Sequence, residues 1–183
     1  MPNHVTTELQ APEHVIMSLI RATTNDERGE GGDFDLFTVD FDLIIPEPHY
    51  SDPMFTATRH EYPGGMVGYE IDGYSPMDWC RDMWGTKWNA YSVELTEDTE
   101  KIRFDTAWAS PLPVIKKLSE LYPEDEIFVR YADEDLGRNC GEYVMLNGEV
   151  TQETELSQEE ANDFAAKLKY GETYAEHTAE WDL

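Results

Sequence analysis

The sequence predicts an α+β fold with a mainly antiparallel sheet. Two observations carry this. Segments of strand-like alternation are interrupted irregularly by short helical periods, which argues against a doubly wound parallel sheet. Two strand pairs are also separated by turn-forming residues, as hairpins are.

The elements follow in chain order. Val5, Thr7 and Leu9 alternate with Thr6 and Glu8, as in a half-buried strand. Pro12 suits a first helical position, and Val15, Ile16, Leu19 and Ile20 share one helical face. Residues 23–33 read as a charged, glycine-rich loop. Phe37, Val39, Phe41 and Leu43 alternate with Thr38, Asp40 and Asp42, and Ile45 keeps the period, which predicts one long strand with an acidic outer face at Asp40 and Asp42. Residues 46–74 show no clear period and are long for a connection, so they read as an insertion or functional loop. Ser75-Pro76 predicts a helix start, with Ser75 as cap, and Gly85 its stop.

Tyr91, Val93 and Leu95 alternate, as do Ile102, Phe104, Thr106 and Trp108, with Glu97-Asp98-Thr99 as the turn between them. Ser110-Pro111 opens a helix over Val114, Ile115, Leu118 and Leu121, which Pro123 ends. Ile127, Val129 and Tyr131 form a strand. Asn147-Gly148, between Tyr143–Leu146 and Glu149-Val150, is a strong hairpin signal. Ser157 with Glu160 is a capping box before a final helix through Phe164, Ala165 and Leu168. At 183 residues the whole chain reads as a single domain, 1–183. An acidic hairpin and the C-terminal helix occupy about 141–183.

Charge narrows the function classes. The 13 Lys and Arg stand against 39 Asp and Glu, a formal net charge of −26. Residues 121–183 hold 17 acidic and four basic residues, half of that excess. Such a chain repels nucleic acid and anionic lipid, and is attracted to basic surfaces. No apolar run approaches the ~20 residues that span a bilayer, and the N-terminus lacks the pattern of a secretion signal. Two cysteines, Cys80 and Cys140, make no disulfide framework, so the expected compartment is the cytoplasm.

Motifs for chemistry are sparse. The five His (His4, His14, His49, His60 and His177) belong to no recognisable catalytic arrangement. Cys80 and Cys140 lack zinc spacing, and Asp133-Glu134-Asp135 lacks an EF-hand register. Gly29–Gly32 is flanked by Glu30 and Asp33, which would repel a phosphate. The expectation is a non-enzymatic protein with no metal or cofactor. Three of the five Trp lie in 79–90; tryptophans of this kind mostly pack cores, and a binding role is the second reading.

Trp84-Gly85-Thr86-Lys87-Trp88-Asn89-Ala90 and Phe104-Asp105-Thr106-Ala107-Trp108, followed by Ser110-Pro111 and a helix, resemble the YubB ferredoxin-like domain family. Met1-Pro2-Asn3 before the first strand and Gly141–Val150 fit as well. The resemblance covers most of residues 1–150. It implies a ferredoxin-like sandwich with helices on one face of the sheet and an origin on phages or plasmids; the 46–74 insertion, extra strands and a C-terminal helix elaborate that core. It implies no reaction.

Three readings stand. The first is a phage- or plasmid-type anti-defence protein, an anti-CRISPR or anti-restriction factor that mimics nucleic acid. It would act in the host cytoplasm on a basic nucleic-acid-binding host complex, without binding nucleic acid or membrane itself. Its candidate contacts are Asp40, Asp42, Asp133, Glu134, Asp135, Glu153, Glu155, Glu159 and Glu160. The second is a halophile's housekeeping protein with an acidic surface. The third is a small-ligand binder or enzyme using the 46–74 loop, with His49-Tyr50 and His60-Glu61-Tyr62, and the Trp-rich segment.

Overall fold

A computed structural model describes residues 3–22 and 37–179. Met1-Pro2 and the Gly29–Gly32 segment lie outside the described residues.

Six strands form one sheet, and every pairing in it is antiparallel. They are β1 (His4–Gln10), β6 (Tyr91–Leu95), β7 (Lys101–Ala107), β8 (Ile127–Asp133), β9 (Cys140–Leu146) and β10 (Glu149–Glu153), in the order β10-β9-β8-β1-β7-β6. Helices α2 (Pro76–Met83) and α3 (Leu112–Leu121) complete the ferredoxin-like unit: β1, α2, β6, β7, α3 and β8 give the β-α-β-β-α-β order. β9 and β10 then widen the sheet beyond β8.

Alternation along the strands decides the layers. Leu9, Ile102, Phe104, Val129 and Met145 point to one face and share a core with Trp84, Val114, Ile115 and Leu118. α1 (Glu13–Met17) adds Val15 and Ile16 to that core. The opposite face carries Ala132, which packs against Ala165 and Leu168 of α4 (Gln158–Tyr170). The C-terminal helix therefore covers the face that α2 and α3 leave open. Lys169 of α4 reaches across this face to donate to the His4 carbonyl and to Thr6 Oγ1, each at 3.0 Å. This explains why Thr6 is buried, although alternation alone assigns it to an exposed face.

Local signals act as the sequence suggests at several ends. Ser75 Oγ accepts from Asp78 N at the start of α2, and Gly85 takes a positive φ just past its end. Ser157 and Glu160 form a complete capping box on α4, and Gly171 closes it in the left-handed conformation. Asn147 and Gly148 both have positive φ, as a tight primed hairpin turn requires. Gly148 N also donates to the buried Ser119 hydroxyl at 3.1 Å, which ties the hairpin to α3.

Three expectations need correction. The strand predicted through 37–45 ends at Val39. Only β3 (Phe37–Val39) pairs, with β2 (Ile20–Ala22), and a 3₁₀ turn (Phe41–Leu43) follows. Asp40 causes the break: its side chain accepts from Asp42 N and caps the turn, so a local hydrogen bond replaces the ladder. The 46–74 segment is not a featureless loop. It holds a hairpin, β4 (Ala57–Tyr62) and β5 (Met66–Ile71), in regular antiparallel register. A short α5 (Tyr174–Ala179) follows α4 with no buried residue. Among the described residues, no helix is long and apolar enough to cross a membrane.

Candidate functional site

The segment after β3 and the Trp-rich string meet through one polar network. Asp40 is buried. Its Oδ1 accepts from Asn89 Nδ2 at 2.7 Å and from Asp42 N at 3.1 Å, and its other oxygen pairs with Arg21 Nε. Asn89 Oδ1 accepts from Phe41 N at 3.0 Å and from Ala90 N at 2.9 Å. Trp84 Nε1 donates to the Ile45 carbonyl at 2.9 Å. The Trp84–Ala90 string thus holds the 40–45 segment against the sheet.

Beside this network lies a cleft of about 620 Å³ between α2 and residues 40–47. Asp42 and Glu47 supply carboxylates, Arg21 and Lys87 supply cations, Met77, Trp84 and Trp88 supply apolar walls, and Cys80 sits within it. Burial, then the nearby Asp42, pushes the Glu47 carboxyl above its usual range. Burial, then Glu47, pushes the Cys80 thiol up to about 11. At neutral pH that thiol stays protonated and is a poor nucleophile. A second hollow of about 600 Å³ shares Asp42, Glu47 and Pro76 and runs on to Tyr50 and Tyr69, whose rings stack 4.6 Å apart.

The tryptophans divide between core and surface. Trp84 is buried and meets Phe41 and Trp79 edge to face. Trp88 and Trp108 are 40% and 41% exposed and flank the Lys87 ammonium, which lies 4.8 Å and 4.9 Å from their ring centroids. Each such contact is worth about 0.5–1 kcal/mol at an exposed site.

The candidate acidic contacts do not form one patch. Asp133 is buried: it accepts from Asn3 Nδ2, Asn139 Nδ2 and Asp135 N at 3.0–3.1 Å. Asp40 and Asp133 therefore serve the fold, which corrects their assignment to an outer acidic surface. Asp42 is half-buried, holds Glu47 N at 2.6 Å and lies 3.6 Å from Arg21 Nη2. Glu134, Asp135, Glu153, Glu155, Glu159 and Glu160 are exposed. β3, which leads into Asp42, contacts β6, whereas Glu153 lies on β10, at the opposite edge of the sheet. Five strand spacings put those edges roughly 24 Å apart. A bulge between Val150 and Gln152 also turns Glu153 to the face opposite Glu149: Glu149 pairs with Leu146, Glu153 with Tyr143.

What remains is a contiguous acidic run. Residues 149–160 contain Glu149, Glu153, Glu155, Glu159 and Glu160, all exposed, and no Lys or Arg. β10 is an edge strand with all five of its residues exposed. Glu160 divides its role, since it accepts from Ser157 N at 2.9 Å, and its hydrogen bonds with Ser157 hold its carboxyl below the usual range. Elsewhere the cations are neutralised locally. Nine of the 12 Lys and Arg among the described residues sit within 4 Å of a carboxylate.

A charged cluster on the sheet face that α4 packs against has no local sequence signature. Glu8 lies between Arg130 and Lys101, and Thr6 donates to Asp105 at 2.7 Å. These partners are 93 to 122 residues apart, so only the strand register unites them. In the β4–β5 hairpin, His60 Nε2 lies 3.1 Å from Glu70, and Arg59 pairs with Glu61. Among the described residues, no three His, Cys, Asp or Glu are grouped to hold a metal ion.

The strand order and the α2–α3 layer define a ferredoxin-like domain, here with two added strands and an acidic edge. The chain belongs to the family of the ferredoxin-like domain in Api92-like protein, whose model matches residues 84–175. A crystal structure of protein Api92 from Yersinia pseudotuberculosis is similar over 46% of this chain, with 17% identity and a TM-score of 0.40. The match spans 31% of that protein. No curated protein matches the sequence.

Proposed function

We propose that the protein is a non-enzymatic anti-defence factor of phage or plasmid origin, working in the host cytoplasm. It occupies the basic groove of a nucleic-acid-binding host complex, a CRISPR effector or restriction enzyme, with its own carboxylates. The supporting observation is the exposed 149–160 run of five Glu without a cation, on a chain whose other cations are mostly paired already. Duplex DNA presents one charge per about 1.7 Å. From the edge strand β10 to the capped start of α4, the chain carries five such charges within twelve residues. Such a complex forms fast by electrostatic steering and weakens with salt. The resemblance to the YubB domain family supplies the mobile-element setting.

The test is retention of host proteins on the immobilised chain in dilute buffer, released by a salt gradient. A single DNA- or RNA-binding defence complex, held against competing basic proteins, supports the reading. Release of ribosomal and other basic proteins together at modest salt contradicts it.

The α2 cleft favours a second reading, a small-ligand binder. Its lining sets the carboxylates Asp42 and Glu47 and the cations Arg21 and Lys87 beside Trp84 and Trp88. Saturable quenching of tryptophan fluorescence by a small amine, lost in Glu47→Gln, would favour it over the first. The halophile reading ranks third, because 12% aromatic residues and bulky apolar strands do not speak for life in high salt.

A further inference from the structure

A third cavity lies where α3 begins against β8 and β9. It measures about 320 Å³. Ala109, Leu112 and Pro113 form one wall, and Tyr131 and Tyr143 the other. Gly85, Ser110 and Asn139 complete the lining, so the Trp84–Ala90 string and the turn after Trp108 both contribute to it.

We propose that this cavity binds a small uncharged ring compound carrying one hydrogen-bond acceptor.

The Tyr143 side chain is the first argument. It is only 8% exposed, and its hydroxyl is closed off from water without any hydrogen-bond partner. A buried hydroxyl left unpaired is costly, and native structures rarely tolerate one without a reason. Burial, with Tyr131 and Glu153 nearby, holds the phenol protonated far above neutral pH, so it is a donor seeking an acceptor. Because the hydroxyl is closed off, the ring must turn for a ligand to meet it, a side-chain adjustment of a kind common on binding.

The rest of the lining selects the ligand class. No charged residue lines the cavity, so an ion entering it would lose hydration without compensation. The wall is mostly apolar, and the Tyr131 and Tyr143 rings stand at 61° with centroids 6.3 Å apart, which suits the edge or face of one further ring. The volume lies at the small end for ligand sites.

Backbone geometry is the second, independent argument. Two lining residues, Gly85 at 78° and Asn139 at 43°, have positive φ, as does Trp108 at 76°, next to the lining Ala109. Asn139 Nδ2 donates to the Trp108 carbonyl at 3.2 Å and so holds two of them together. Such a conformation is unfavourable for Trp, and strained residues of that kind cluster where a site must be shaped.

The test uses the full chain, followed by NMR. The probes are acetophenone and α-methylstyrene, which share a shape but differ in the carbonyl oxygen. Both are expected to shift Ala109, Leu112 and Tyr131 saturably, with acetophenone about tenfold tighter. Tyr143→Phe should erase that preference and leave α-methylstyrene binding unchanged. Ala109→Phe should abolish both, with unaltered circular dichroism showing that the fold survives. The proposal is overturned if neither probe saturates at these residues, or if Tyr143→Phe binds acetophenone as tightly as the parent.

Discussion

Asp40 and Asn89, 49 residues apart in the chain, are joined by a 2.7 Å hydrogen bond from the Asn89 amide to Asp40 Oδ1. The same carboxylate caps the 3₁₀ turn and pairs with Arg21. Asp40 is therefore a structural hub, despite lying in a segment that alternates like an exposed acidic strand. Asp40→Ala would strand three donors, and it is expected to destabilise the fold by about 2–3 kcal/mol. Urea unfolding measures this, and binding per folded molecule should not change.

The exposed glutamates should behave in the opposite way. Replacing Glu153, Glu155 and Glu159 by Gln is expected to alter stability by less than about 0.5 kcal/mol per site. The triple variant should bind its basic partner more weakly and show a shallower dependence of log affinity on log salt. Titration at three salt concentrations measures both.

These two sets of carboxylates look alike in the sequence. What separates them is long-range pairing: Asp40 with Asn89, and Asp133 with Asn3, 130 residues away. Burial of this kind follows from topology, which local patterning does not encode. Features governed by neighbouring residues were legible: the Ser157–Glu160 box, the Asn147-Gly148 turn and the Ser75 cap. The β4–β5 hairpin was not. Its strands are exposed on both faces over much of their length, so no apolar alternation marks them. Likewise Tyr143 reads as an ordinary core residue, because a missing hydrogen-bond partner is visible only in three dimensions.

Gly148 should resist substitution. Its φ is +76°, and an added Cβ would lie 2.8 Å from Glu120 Cγ. Gly148→Ala is expected to cost about 1–2 kcal/mol from backbone strain alone. A thermal melt of the variant reads this directly.

Alkaline pH should weaken the fold through Cys80. Burial raises this thiol from 9.0 to about 11, so the folded state holds its proton more tightly than the unfolded chain does. The stabilisation is complete below pH 9 and is lost as pH rises through about 11. Cys80→Ser should remove that part of the pH dependence. Iodoacetamide should label Cys80 of the folded protein slowly at pH 7 and markedly faster only as pH approaches 11.

The central claim is that these carboxylates occupy the place of nucleic acid. The most direct measurement is competition: the retained host complex, bound to the immobilised chain, is challenged with its own duplex or guide-paired substrate. The account predicts mutually exclusive binding, with nucleic acid releasing the complex and the triple Gln variant giving way at lower concentrations. A stable ternary assembly, holding protein and nucleic acid together, would contradict it.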